Sequence, residues 1–75
     1  MFKIYGTNEC SYCVLAKQLL NNNNINYNFI NVSNNKTEIL NKYSKISNNQ
    51  RTIPLIFDNN EFIGGFQQLK EYISF

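Results

Sequence analysis

Apolar and polar positions along the chain switch between two periods, and the switches mark seven elements. Phe2-Lys3-Ile4-Tyr5 alternates and stops at Gly6, which predicts a short strand followed by a turn. From Tyr12 the apolar positions Tyr12, Leu15, Ala16, Leu19 and Leu20 recur at helical spacing, so a helix runs to about Asn22. Tyr27 to Val32 reads as a second strand. Asn35 with Glu38 three residues on has the form of a capping box, and Ile39, Leu40, Tyr43 and Ile46 then trace a second helix. Pro54 to Phe57 and Glu61 to Ile63 flank Asp58-Asn59-Asn60 as a hairpin. Phe66, Leu69, Tyr72 and Ile73 trace the last helix. The order β-α-β-α-β-β-α places a parallel βαβ unit first and an antiparallel hairpin second, giving an α/β domain with a four-stranded mixed sheet flanked by helices.

Length allows one domain, residues 1–75, with a small core and room for one site. Asparagine is the compositional oddity, in runs at Asn21 to Asn24, Asn34-Asn35, Asn48-Asn49 and Asn59-Asn60. All four runs fall between periodic segments, where asparagine tolerates turn and left-handed backbone, so they read as permissive loops without a function of their own. The net charge of +2 leaves seven scattered basic residues against five acidic ones, and the basic residues are too few and dispersed for a nucleic-acid footprint. The remaining aromatics, among them Phe29, Tyr43, Phe57, Phe62 and Phe75, fall on apolar faces and read as core. No stretch approaches the roughly 20 apolar residues of a membrane span, and no charged leader precedes an apolar run. The expectation is a cytoplasmic protein that binds neither membrane nor nucleic acid.

The chemistry is concentrated in Cys10-Ser11-Tyr12-Cys13, which holds both cysteines of the chain at a strand-to-helix junction. A bridge between them closes almost no chain, so it stabilises the fold little. Zinc needs four ligands from Cys or His, and the chain has two. An inert core thiol is an alternative for Cys13 alone, and the pair at this junction reads as a redox dithiol, normal for a reactive cysteine pair in a reducing compartment. A cysteine at a helix N-terminus has its thiolate stabilised by unpaired N–H groups and the helix dipole. Cys10 occupies that position and is expected to attack; Cys13, one turn further in and more buried, is expected to resolve. No histidine exists to act as base, and Glu9 is an unfavourable neighbour, so the helix terminus supplies the activation.

Three motifs in this order resemble the glutaredoxins, the smallest form of the thioredoxin fold: Cys10-Ser11-Tyr12-Cys13, Gln50-Arg51-Thr52-Ile53-Pro54 and Gly64-Gly65-Phe66. The opening Met1 to Gly6 and the ending Ile63 to Tyr72 further resemble the short glutaredoxins of large bacteriophages, which implies a viral source and a place in the host cytoplasm. The resemblance implies a glutathione site formed by Tyr12, Arg51, Thr52, Ile53, Pro54, Gly64, Gly65, Phe66 and Gln67. Ile53-Pro54 is implied to be cis, with the Ile53 backbone pairing with an extended substrate; otherwise Pro54 is an ordinary start to a strand. Gly64-Gly65 either ends a strand or lets the γ-glutamyl carboxylate approach the N–H groups of the last helix. The family's usual cation three residues before the first cysteine is Thr7 here, and Arg51, Lys42 or Lys45 are the substitutes. Gln67 stands where the family often has Asp or Thr. Tyr12 is either an aromatic side of the groove or the first core residue of its helix.

The function expected is glutathione-dependent reduction of protein disulfides and glutathione mixed disulfides by a monomer, with ribonucleotide reductase as the implied protein partner. Two alternatives stand beside it. One is a [2Fe-2S] cluster bridging two chains, each giving Cys10, with glutathione supplying the other thiolates. The other is a thioredoxin-like reductant served by a flavoprotein reductase.

Overall fold

Phe2, Ile4 and Gly6 turn one way from the first strand and Lys3 and Tyr5 the other, and this alternation divides the core into two halves. In the computed structural model, which describes residues 1–74, the elements are β1 (Phe2–Gly6), α1 (Ser11–Asn22), β2 (Tyr27–Asn31), α2 (Lys36–Lys42), β3 (Leu55–Asp58), β4 (Glu61–Gly64) and α3 (Phe66–Ile73). Phe75, expected in or near the core, lies outside the described residues. The sheet order is β2-β1-β3-β4, with β1 parallel to β2 and antiparallel to β3, and β3 antiparallel to β4. The expected element order and mixed four-stranded sheet are therefore present.

On one face, Phe2, Ile4 and Ile56 meet Ala16 and Leu20 of α1 and Leu69 of α3. Ile4, Ala16, Leu20, Ile56 and Leu69 are wholly buried. Each large aliphatic side chain so buried contributes about 1.5–3 kcal/mol of transfer free energy. The other face carries Leu55 and Phe57 against Leu40 of α2, with Tyr5, Tyr43 and Phe62 around them. Here the Tyr5 and Tyr43 hydroxyls share a hydrogen bond of 3.1 Å. Among the described residues no helix is long and apolar enough to cross a membrane.

Two expectations about α2 are corrected. Asn35 precedes the helix but its side chain makes no cap hydrogen bond, so the Asn35/Glu38 capping box does not form. Its backbone lies at φ −144°, ψ 33°, away from the extended geometry that aims a cap side chain at the first N–H groups. The helix also stops at Lys42 rather than continuing to Ile46, which is 58% exposed. Beyond it the chain turns through Asn48 and Asn49, both with positive φ. Asn24 and Asn59 share that conformation, so three of the four asparagine runs carry left-handed turn positions.

Candidate functional site

β1 delivers the chain to the end of the sheet, and Cys10 then starts α1 as its N-cap residue. Its backbone is extended and its Sγ accepts the Cys13 N–H at 3.2 Å, the bond that a serine or aspartate oxygen makes at this position. Negative charge on Cys10 strengthens that bond and is favoured by the helix dipole. Helix capping and nucleophile stabilisation are thus one contact. Cys10 Sγ also lies 3.9 Å from the Ile53 carbonyl oxygen, its partner as a thiol.

Cys13 is wholly buried while Cys10 is partly exposed, the asymmetry expected from their spacing. Burial first, then the hydrogen bond to Cys10, pushes the Cys13 thiol up from 9.0 to about 12. The close packing has a second source in Gly6. A Cβ on Gly6 would lie 2.5 Å from Cys13 Sγ, so the absence of a side chain there is what admits the thiol against β1.

The pH dependence of stability follows from Cys13 and Tyr5. Hydrogen bonding to Tyr43 and burial push Tyr5 from 10.0 to about 12. Both groups are neutral in the fold and release their proton earlier in the unfolded chain, so between about 9 and 12 the unfolded state binds fewer protons. Stability is therefore fully present below about 9 and declines as pH rises, by at most about 1.4 kcal/mol per pH unit for each group. Denaturant titrations of the reduced protein should show this decline, with a shallower slope in both Cys13→Ala and Tyr5→Phe.

Beside the thiols runs a groove of about 270 Å³. Tyr12 and Phe66 form one side, ring centroids 6.0 Å apart; Tyr12 is 61% exposed, so it is a groove residue and not the first core residue of α1. Thr52, Ile53 and Pro54 form the other side, and the Ile53–Pro54 bond is cis. Gly65, Gln67 and Gln68 line the end formed by α3. Gly64 precedes them at φ +131°, a conformation that L side chains rarely adopt, and a Cβ there would lie 2.8 Å from Gln68 Cβ.

Two polar residues depart from the expected arrangement. Arg51 does not line the groove: it is exposed and its Nη1 donates to Asn41 Oδ1 of α2 at 3.0 Å. The Gln67 amide donates along α3 to Glu71 at 3.4 Å. The groove lining accordingly carries no formal charge. Two glutamines given no role from the sequence act here, Gln68 in the lining and Gln50 on the loop behind it. Gln68 Oε1 accepts the Gly65 N–H at 3.0 Å and closes the start of α3. Gln50 Nε2 donates to the Thr52 carbonyl at 2.8 Å and the Pro54 carbonyl at 3.1 Å. Gln68 had a legible signal, since a glutamine three residues into a helix is the second half of a capping box. Gln50 had none beyond its place in the motif that ends at Pro54.

Among the described residues no three His, Cys, Asp or Glu side chains gather as a metal site. Toward a bridging cluster each chain could offer the Cys10 thiolate, Cys13 being buried behind it.

A buried cysteine behind a helix-capping one, facing a cis-proline loop on this mixed sheet, defines a thioredoxin-fold protein of the dithiol type. The glutaredoxin family model matches residues 2–63. Glutaredoxin 1 of Rickettsia conorii is 39% identical over 66 residues, covering 88% of this chain and 65% of its own length. The chain thus spans about two thirds of that relative. The glutaredoxin of Enterobacteria phage T4 is 35% identical over 85 residues, covering 96% of this chain and 98% of its own. The crystal structure of glutaredoxin 1 from Francisella tularensis, complexed with cacodylate, superposes with a TM-score of 0.77 at 34% identity, covering 93% and 87% of the two chains. The chain belongs to the glutaredoxin family.

Proposed function

We propose that the protein is a glutathione-dependent thiol–disulfide oxidoreductase in which Cys10 is the nucleophile. The observation that carries this reading is the position of Cys10 Sγ, capping α1 and 3.9 Å from the Ile53 carbonyl at the groove. Family membership supports the reaction class.

The Cys10 thiolate attacks the glutathione sulfur of a mixed disulfide, R–S–S–G. The old S–S bond breaks, R–S⁻ leaves and takes a proton, and glutathione is held on Cys10. A second glutathione thiolate then attacks that bond, releasing oxidised glutathione and restoring the Cys10 thiolate. With a protein disulfide, Cys13 instead displaces the substrate thiolate and forms the Cys10–Cys13 disulfide, which two glutathiones reduce. The raised Cys13 thiol makes this second exit slow until its proton is lost. In the groove, Tyr12 and Phe66 flank the tripeptide, the Ile53 backbone pairs with it, and the N–H groups of Phe66 and Gln67 in the first turn of α3 receive its carboxylate, that of Gly65 being taken by Gln68.

The uncharged groove favours one second reading, a dithiol reductant that grips glutathione weakly and is recharged by a flavoprotein reductase. Turnover of a glutathione mixed disulfide coupled to glutathione reductase separates the two. Robust turnover supports the first reading; none, alongside rapid reduction by a thioredoxin reductase, establishes the second. Ribonucleotide reductase is the proposed protein acceptor, supported by the resemblance to phage glutaredoxins. Electron transfer to the reductase from the same source should exceed background, and its absence removes that partner.

A further inference from the structure

We infer that Gln50 is a positioning residue that holds the Ile53 backbone open for main-chain pairing with extended peptide substrates. The inference rests on the thiol–disulfide exchange reading above and goes beyond it by naming what sets the preference for peptides.

Ile53 lies between β3 and the turns that follow α2, so no strand fixes it. Among the described residues its N–H and carbonyl enter no backbone–backbone hydrogen bond, and it lines the groove beside Cys10. The Ile53 N–H and the Ile53 carbonyl, whose side-chain partner is the Cys10 thiol at 3.9 Å, are able to pair with another chain, provided they are held still. Gln50 does the holding from behind. One Nε2 donates to the carbonyls on both sides of Ile53, those of Thr52 at 2.8 Å and Pro54 at 3.1 Å. These bonds draw the neighbouring carbonyls toward Gln50 and leave the Ile53 groups to the groove.

Gln50 is itself anchored. Its N–H donates to Ser47 Oγ at 3.2 Å, and Ser47, 6% exposed, donates to the Ser44 carbonyl at 3.4 Å. The buried hydroxyl fixes the turn beyond α2, and the turn fixes the glutamine. Among the described residues neither Gln50 nor Ser47 hydrogen-bonds Cys10; the link between them is the 3.9 Å contact of Cys10 Sγ with the Ile53 carbonyl, and a loss that reached the nucleophile through it would slow every disulfide alike.

The test compares two disulfides with reduced parent, Gln50→Glu and Gln50→Met, all shown to unfold cooperatively. Glutamate keeps the shape but cannot donate to the two carbonyls; methionine keeps the length without charge. One disulfide joins two extended peptides and the other is bis(2-hydroxyethyl) disulfide, which has no backbone. In each reaction the Cys10 thiolate forms a new S–S bond with one sulfur while the other leaves as a thiolate. The rate constant for the peptide disulfide should fall about tenfold in both variants, while that for the small disulfide stays within about twofold. Equal losses on both disulfides, or no loss on the peptide, overturn the inference. Glutathione enters neither reaction, so its failure to recharge the oxidised parent would count against the proposed reductant alone. A parent unreactive toward the peptide disulfide overturns both.

Discussion

Cys10→Ser is expected to reduce glutathione mixed disulfides no faster than the uncatalysed background, while Cys13→Ala stays within about tenfold of the parent, less than ~1.4 kcal/mol in barrier height. The contrast follows from what each sulfur does. Cys10 is partly exposed, caps α1 and accepts the Cys13 N–H, so it is the sulfur whose negative charge the fold supports. Serine is itself a good N-cap, so Cys10→Ser keeps that contact and loses only the nucleophile. Cys13 is wholly buried and its thiol is pushed up to about 12, which makes it a poor first attacker. Against an intramolecular protein disulfide the order changes, since only Cys13 can release that substrate within the same chain, and Cys13→Ala should stall as a mixed disulfide. The measurement is steady-state turnover coupled to glutathione reductase, beside thermal unfolding of each variant. Equal losses in the two variants would contradict the division of roles.

Gly6→Ala should destabilise the reduced protein by about 1–3 kcal/mol, the usual range for overpacking a filled core. The added Cβ would lie 2.5 Å from Cys13 Sγ and 3.1 Å from Cys13 Cβ, both in wholly buried surroundings where neither can retreat to solvent. In a domain of this size each kcal/mol lowers the melting temperature by roughly 4–8 °C. Removing the sulfur should relieve most of the strain, so Gly6→Ala combined with Cys13→Ala should be more stable than the two separate losses add up to. Additive losses would mean that the methyl group strains β1 itself and not the thiol. The glycine therefore belongs to the redox site although it carries no chemistry.

The alternation in Phe2 to Tyr5 and the helical spacing from Tyr12 to Leu20 were legible because each element buries one face, and burial writes its period into the sequence. The same signal overran at α2. Tyr43 packs in the second core half, but Ile46 is exposed, and apolar spacing alone does not show that the chain leaves the helix at Lys42 to turn through Asn48 and Asn49. The groove was legible by position, since Tyr12, Thr52, Ile53, Pro54, Gly65, Phe66 and Gln67 all line it, whereas Gly64, expected with them, is buried at the end of β4 and outside the lining. Side-chain direction was not. Arg51 sits beside Thr52 in the chain, yet its guanidinium points back to Asn41 of α2. Gln50 stood in a motif of the resemblance, but its role was hidden for a related reason: a side chain that binds backbone two and four residues ahead leaves no periodic or compositional trace.

Mass spectrometry of the reduced variants after brief exposure to oxidised glutathione tests most directly whether Cys10 is the sulfur that handles glutathione. Cys13→Ala should gain one glutathione on Cys10 and lose it when reduced glutathione is added, while Cys10→Ser remains unmodified. Modification of Cys13 in Cys10→Ser at a comparable rate, or no adduct in Cys13→Ala, would contradict the account.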